Sequence, residues 1–164
     1  MNINGMEIER KFMIAMPSDD FLKSLDGTEI IQTYLLSECG ATERVRKRGR
    51  DGNYVYTHTV KFKINNMSRR EDEREISLEE YSELLKRADP ERNIIEKQRY
   101  CYDYAGKLWE IDVFPFWQDM AFMEIELESE QEEINFPPDI RVLRELTDDK
   151  RYTNAALAKH IPED

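Results

Sequence analysis

The sequence predicts an α+β protein built around an antiparallel β-barrel of about eight strands. Apolar and charged residues alternate with a period of two in segment after segment, and this pattern indicates strands with two different faces. Short turns such as Asp51-Gly52-Asn53 and Ala105-Gly106-Lys107 join consecutive segments, which favours antiparallel hairpins. Because about eight consecutive antiparallel strands can close on themselves, we expect one barrel domain that spans residues 1–164.

The strand segments follow one another along most of the chain. In order, they are Met6–Phe12, Ile30–Leu36, Thr42–Arg48, Tyr54–Ile64, the stretch of Glu71, Glu73 and Glu75 before Ser77, Lys97–Tyr104, Trp109–Val113 and Met123–Glu128. The first of them, MEIERKF, is typical of the set. Glu7, Glu9 and Lys11 share one face, whereas Met6, Ile8 and Phe12 lie on the other.

Helices are fewer, and capping residues identify them. Ser18 can cap a helix over Asp19–Leu25. The capping box Ser77-Leu78-Glu79-Glu80 opens a helix over Leu78–Ala88, which Asp89-Pro90 ends. Two more short helices are expected, at Asp139–Leu146 and Asn154–His160.

The amino-acid composition limits the classes of partner that the protein can bind. Charged residues make up 36% of the chain, its formal net charge is -11 and its pI is about 4.8. A general nucleic-acid binder or a binder of anionic membranes needs a basic surface, so both classes are excluded. No apolar run reaches the roughly 18 residues of a membrane span and no signal peptide is visible, so we expect a cytoplasmic protein. Cys39 and Cys101 lack the spacing of a metal site, which is typical of reduced structural thiols.

The alternating pattern leaves two orientations of the strands open. In one, the apolar faces point into a packed barrel and the charges meet water. In the other, the charged faces line a central tunnel and the helices cover the apolar faces. Rows of one sign, such as Arg44, Arg46 and Arg48, favour the second orientation. Like charges in register repel one another unless a ligand of opposite charge lies across them.

Several motifs are similar to those of a known family. Glu7-x-Glu9-x-Lys11 resembles the first motif of the CYTH domain, which is the domain of the triphosphate tunnel metalloenzymes. Later motifs resemble this family in the same order: ERVRKR (43–48), TVK (59–61), EREI (73–76), EKQRY (96–100), EIDVF (110–114), MEIELE (123–128) and DKRYTNAALA (149–158). Compact bacterial members are the most similar. The resemblance implies the second orientation, an eight-stranded antiparallel tunnel with a charged interior and helices packed outside.

The resemblance also implies roles for individual residues. The expected metal ligands are Glu7, Glu9, Glu124, Glu126 and, as a neighbouring candidate, Asp112. The expected substrate-binding cations are Lys11, Arg44, Arg46, Lys61, Lys63, Lys97, Arg99 and Lys150. Lys97 and Arg99 are also expected to act in catalysis, together with Tyr34, which resembles a tunnel-facing tyrosine of the bacterial members.

The implied reaction is metal-dependent hydrolysis of a triphosphate group, in inorganic tripolyphosphate or a similar short triphosphate. Mg²⁺ or Mn²⁺ is the expected ion, because the candidate ligands are all carboxylate oxygens. Two alternatives stay open: a class IV-type adenylyl cyclase that makes cyclic AMP from ATP, and a non-catalytic protein that binds polyphosphate or nucleotides. We expect a small triphosphate as the partner, with no long nucleic acid and no membrane. A compact barrel with apolar outer faces is also compatible with a homodimer.

Overall fold

A computed structural model of the chain describes residues 6–37 and 40–162. Within these residues the strands are β1 (Met6–Ala15), β2 (Asp26–Tyr34), β3 (Ala41–Arg50), β4 (Asn53–Lys63), β5 (Ser68–Ile76), β6 (Ile95–Tyr104), β7 (Lys107–Val113), β8 (Met120–Glu126) and β9 (Val142–Glu145). The helices are α1 (Asp19–Lys23), α2 (Leu78–Leu84) and α3 (Asn154–Leu157), and short 3₁₀ turns cover Leu85–Arg87 and Lys150–Tyr152. Cys39 lies outside the described residues.

Strands β1 to β8 close into an antiparallel barrel, which confirms the predicted fold. Their order is β1-β5-β4-β3-β2-β6-β7-β8, and β8 returns to β1. The seam between β1 and β5 is short, because only Met6–Ile8 pair with Ser68–Arg70. The β1–β8 pairing is longer and sets Glu9 opposite Glu126 and Lys11 opposite Glu124.

The two predicted hairpin turns are confirmed by their backbone angles. Asp51 and Gly52 have φ values of 53° and 82°, and Ala105 and Gly106 have φ values of 52° and 77°. Two consecutive positive φ values are the geometry of the two-residue turn whose twist matches antiparallel strands. These turns fix the registers of β3 with β4 and of β6 with β7.

The predicted helix caps are present, although the helices are shorter than expected. The backbone N–H of Phe21 donates to Ser18 Oγ at 3.1 Å in α1, and that of Glu80 donates to Ser77 Oγ at 3.1 Å in α2. Thr153 caps α3 in the same way through Ala156 N. Among the described helices, none is long and apolar enough to cross a membrane.

The prediction of a helix over Asp139–Leu146 is wrong, because this segment contains β9. Beyond Ile8, β1 no longer pairs with β5, so that side of β1 is open to another strand. Residues Val142–Glu145 pair with Phe12–Ile14 there, and Leu146 N donates to Lys11 O at 2.8 Å. The backbone groups of the segment are therefore satisfied by β1 rather than within a helix.

Most of the apolar core lies outside the barrel wall. Phe12, Trp109 and Ile125 belong to one buried cluster, which Leu22 of α1 covers from outside. A second cluster, which includes Tyr34, Phe122 and Tyr152, packs α3 and the preceding turn against one part of the barrel. A third cluster packs Tyr81 of α2 against Val45 and Ile76. The first and third clusters hold α1 and α2 against the outer faces of the barrel. The second closes one end of the barrel interior, because Phe122 shares the strand face of Glu124 and its ring lies 4.7 Å from Lys11 Nζ.

Candidate active site

A cavity of about 430 Å³ is lined by side chains from all eight barrel strands and from the C-terminal segment. Its lining cations are Lys11, Arg44, Arg46, Lys61, Lys63, Arg69, Arg99 and Lys150. Its lining carboxylates are Glu7, Glu9, Glu71, Glu73, Glu110, Glu124 and Glu126. Tyr34, Thr147, Thr153 and Asn154 also reach it. Because each barrel strand contributes side chains, the cavity lies within the barrel.

The structure brings the residues predicted for the site to this cavity, with two exceptions. Lys97 and Asp112 do not line it, since their side chains are 0% and 1% exposed. They lie behind the cavity lining, next to Arg99. Asp112, which the resemblance implied as a candidate metal ligand, is therefore not open to an ion in the cavity.

The buried pair behind the lining is tightly hydrogen-bonded. Asp112 accepts hydrogen bonds from Lys97 Nζ at 2.8 Å and from Arg99 Nε and Nη2 at 2.7 and 2.9 Å. Burial alone would raise the pKa of Asp112, but the charges and hydrogen bonds of Arg99 and Lys97 outweigh burial and hold this pKa well below its usual range. Burial lowers the pKa of Lys97 to about 7, even though Asp112 opposes this shift. Asp112 thus fixes Arg99 with its guanidinium at the cavity.

A second group of cations, on β3 and β4, has much looser contacts with carboxylates. Arg44 Nη2 lies 3.9 Å from Glu71, and Arg44 Nε is buried without a hydrogen-bond partner. Lys61 Nζ lies 3.9 Å from Glu7 and 4.0 Å from Glu71. Arg46 donates to the neutral side-chain oxygen of Gln32. These three cations are close together and are only partly neutralised.

The pKa values of this second group respond to that crowding. Burial lowers the pKa of Lys61 to about 8, and the charge of Arg44 lowers it further while Glu7 and Glu9 oppose the shift. Burial and the charges of Arg44 and Arg99 lower the pKa of Arg46 well below its usual value. An anion in the cavity would reverse these shifts, because it would stabilise the charged form of each group.

Carboxylates form a row across the opposite part of the lining. Glu9 pairs in register with Glu126, and Glu124 pairs with Glu110. Like charges directly opposite one another repel unless a cation lies between them. Here Glu9 accepts from Arg69 at 2.7 Å, and Glu124 lies 3.5 Å from Lys11 Nζ. In the part of the chain that the structure describes, no three acidic, histidine or cysteine side chains are grouped as a metal site.

The C-terminal segment reaches the cavity through its polar groups. Lys11 Nζ donates to the carbonyl oxygen of Tyr152 at 2.9 Å, and Lys11 N donates to Thr147 Oγ1 at 3.0 Å. Lys97 Nζ lies 3.5 Å from Asn154 Oδ1. The segment therefore fixes both the backbone and the ammonium group of Lys11.

Sequence analysis did not assign a role to several lining residues. Arg69, Glu71 and Glu73 lie on β5, whose sequence SRREDEREI is charged on both faces. Alternation of apolar and charged residues therefore gives no signal for its inner face. Glu73 was expected only as an inward-facing acid without a further role; it lies opposite Thr59 and accepts from the Thr59 hydroxyl at 2.7 Å.

The chain is similar to known proteins over nearly its whole length. A sequence model of the CYTH domain matches residues 5–137. The inorganic triphosphatase of Acetivibrio thermocellus is 35% identical over 157 residues, which cover 95% of each chain. The inorganic triphosphatase of Nitrosomonas europaea is 34% identical over 159 residues, which cover 95% of this chain and 99% of that protein.

Solved structures agree with the sequence comparison. The crystal structure of an inorganic triphosphatase superposes with a TM-score of 0.60 at 32% identity, and the match covers 96% of this chain and 97% of the other. A structure from Pyrococcus horikoshii, at 23% identity and a TM-score of 0.57, shares the fold over 76% of this chain and 79% of its own. Because the family match spans far more than half of its residues, the chain belongs to the CYTH domain family.

Proposed function

We propose that this protein hydrolyses inorganic triphosphate to orthophosphate and pyrophosphate within the barrel cavity. The names of two relatives at 34–35% identity support this reaction. The observation that carries the proposal is a group of loosely paired cations in the cavity lining, formed by the buried Arg44 and the partly buried Arg46 and Lys61. A polyanion would supply the negative charge that the nearby carboxylates supply only from 3.9 Å or more.

Substrate binding is assigned to the cations of β1, β3 and β4 and to Lys150. Arg44 and Arg46 can each donate two parallel hydrogen bonds to a phosphate, whereas Lys11 and Lys61 act as point charges. Lys63 and Lys150 would add charge around the same cavity. A linear triphosphate presents several charged oxygens along its length, so it can contact several of these cations at once.

A divalent ion is assigned to the carboxylates of β1 and β8. Glu7, Glu9, Glu124 and Glu126 offer only oxygen ligands, which suits Mg²⁺ or Mn²⁺. Glu9 and Glu126 lie opposite one another in register, and an ion held there by the four carboxylates would require Glu9 to turn from Arg69 and Glu124 to turn from Lys11. When bound, the ion would neutralise phosphate oxygens and lower the pKa of a bound water. Asp112 is not part of this ligand set, because Lys97 and Arg99 occupy its oxygens.

The chemical step requires alignment and neutralisation of charge more than covalent help from the protein. A water oxygen attacks a terminal phosphorus, the bond between that phosphorus and the bridging oxygen of the leaving pyrophosphate breaks, and the proton lost by the water passes to solvent. Arg99 lies at the cavity and is held by Asp112, so its guanidinium is fixed to stabilise charge on the leaving oxygen. Tyr34 can donate its hydroxyl hydrogen to a phosphate oxygen from the same cavity.

Some sequence predictions stay predictions under this proposal. A cytoplasmic location, a homodimer and the exclusion of long nucleic acids each rest on composition and patterning alone. The single domain over residues 1–164 rests on the same reasoning.

The test is a product assay with tripolyphosphate and ATP under Mg²⁺, Mn²⁺ or a chelator. We expect metal-dependent release of orthophosphate and pyrophosphate from tripolyphosphate, much faster than any release from ATP. Cyclic AMP from ATP would identify a cyclase instead. Tight binding of tripolyphosphate without turnover would identify a binding protein.

Variants of two glutamates test the assigned metal ligands. Glu126→Gln should lower metal-dependent turnover about 100-fold or more and weaken Mn²⁺ binding in calorimetry, because it removes a charged ligand from the ion. Glu128→Gln is the matched control, since Glu128 is exposed and does not line the cavity. Equal Mn²⁺ affinities in the two variants would refute the metal assignment.

A further inference from the structure

Next to the ring of Tyr34 lies an arginine to which neither the motifs nor the cavity lining assign a role. The guanidinium carbon of Arg92 is 5.3 Å from the centre of the Tyr34 ring. Tyr34 is buried and lines the cavity, whereas Arg92 does not line it. Arg92 thus contacts a residue of the proposed site without being able to touch the substrate.

The loop that carries Arg92 is anchored to the end of β2. Leu35 bridges to Ala88, and the backbone N–H of Asp89 donates to the carbonyl oxygen of Tyr34 at 2.9 Å. The Asp89 side chain then accepts from Glu91 N at 2.9 Å, and Arg92 N donates to Asp89 O at 3.1 Å. One short turn therefore holds both the backbone of Tyr34 and the residue that lies against its ring.

Arg92 contacts both the Asp89 carboxylate and the ring of Tyr34. Its Nε is buried without a hydrogen-bond partner and lies 3.5 Å from an Asp89 carboxylate oxygen. An arginine that served only to fix the loop would be expected to align its hydrogen bonds on Asp89. Besides this ion pair, the guanidinium lies against the aromatic ring, where a cation is attracted by the electrons of the ring.

We infer that Arg92 is a positioning residue for Tyr34, which holds the ring against the cavity and strengthens its hydroxyl as a hydrogen-bond donor to phosphate. A positive charge beside the ring stabilises the phenolate form of Tyr34. It therefore makes the hydroxyl a better hydrogen-bond donor. The charge of Arg92 acts in this direction on the pKa of Tyr34, which burial raises and the charges of Arg44, Arg46 and Arg92 lower in part. This inference rests on the proposed hydrolysis and adds a residue outside the cavity to it.

A double-mutant cycle with Arg92→Gln and Tyr34→Phe tests whether Arg92 acts through Tyr34. We expect Arg92→Gln to lower kcat for tripolyphosphate about three- to tenfold and to change KM less than about twofold. In the Tyr34→Phe background the same change should lower kcat less than about 1.5-fold. Arg92→Lys keeps a cation beside the ring and should retain at least about half of the kcat. An equal loss in both backgrounds would overturn the inference.

A spectroscopic measurement separates this inference from the proposed function. In protein labelled with ¹³C at the tyrosine Cζ, the Tyr34 signal, assigned through Tyr34→Phe, should shift in Arg92→Gln and should shift less in Arg92→Lys, which keeps a cation beside the ring. It should stay in place in Arg74→Gln, which removes an exposed arginine paired with Glu80. An unmoved Tyr34 signal in Arg92→Gln would overturn the inference even if hydrolysis is found. A shifted signal in a protein without hydrolysis would leave the contact intact and refute only the proposed reaction.

Discussion

The cationic groups on the two sides of the cavity differ in how closely carboxylates neutralise them. On β6 and β7, Lys97 and Arg99 donate to Asp112 at 2.7–2.9 Å. On β3 and β4, Arg44 and Lys61 lie 3.9–4.0 Å from their acidic neighbours. The first group is already paired in the folded protein, so it holds Arg99 in a fixed orientation at the cavity and gains less from a bound anion than the second group does. The second group has too few nearby carboxylates to neutralise it, so a bound anion stabilises this group more than the first.

The largest expected effect comes from removing the carboxylate of the first group. Asp112→Asn removes the carboxylate that Lys97 and Arg99 share and leaves Arg99 with Glu110 at 3.1 Å. We expect a loss of about 3–5 kcal/mol of unfolding free energy, chiefly because Lys97 becomes a buried cation without a paired carboxylate. Urea denaturation measures this change. Glu145→Gln, at the half-exposed Arg10–Glu145 pair, is the control and should cost about 1 kcal/mol or less. Equal losses in the two variants would remove the distinction between a closely paired and a loosely paired group.

The opposite result is expected for the loosely paired group. Arg44→Gln removes a buried cation that repels Arg46 and Lys61, so the unfolding free energy should stay the same or rise. Binding should suffer instead, because a charged hydrogen bond to phosphate is lost. We expect KM for tripolyphosphate to rise about 10- to 100-fold. A variant that unfolds more easily while it keeps its KM would show that Arg44 has a structural role.

The next effect is a pH dependence of binding. Lys61 is protonated below its pKa of about 8, so its attraction for triphosphate is present below that pH and is lost as the pH rises through it. KM should therefore rise about tenfold between pH 7 and pH 9. Lys61→Arg keeps its charge over this range and should flatten the rise. If the profiles of wild type and Lys61→Arg coincide, another group causes the pH dependence.

The fold could be predicted because its signals are local. Period-two alternation marks a strand wherever one face is apolar, and the Asp51-Gly52 and Ala105-Gly106 turns mark the hairpins. β9 carries no such signal. Residues Val142–Glu145 form a strand because they meet the open side of β1, some 130 residues earlier in the chain. The short sequence VLRE alone does not indicate that it pairs with a strand so distant in the chain.

The sequence predicted which residues form the site, but it did not predict how deeply each of them is buried. Rows such as Arg44 and Arg46 reach the cavity as the alternation and the family resemblance indicated. Lys97 and Asp112 belong to strands with the same alternation, yet they lie behind the lining. Their depth follows from the register of β6 with β7 and from the packing of Phe114 below Lys97. One sequence without its tertiary contacts does not contain that information.

The smallest effect should come from the exposed rim of the loosely paired group, and it tests whether burial causes the difference between the groups. Lys63 lies two residues beyond Lys61 on β4, lines the cavity and is exposed. Because water and salt screen its charge, Lys63→Ala should raise KM for tripolyphosphate only about twofold at low salt. The effect should vanish at about 0.5 M KCl, because at this salt concentration the attraction between exposed charges extends over only a few ångströms. Lys86→Ala, at an exposed pair on the outer surface, should have no effect at either salt concentration.

A Lys63→Ala loss as large as that of Arg44→Gln, and equally large in high salt, would mean that the cations bind substrate by direct contact however deeply they are buried. The depth of burial would then no longer explain which group responds to the anion.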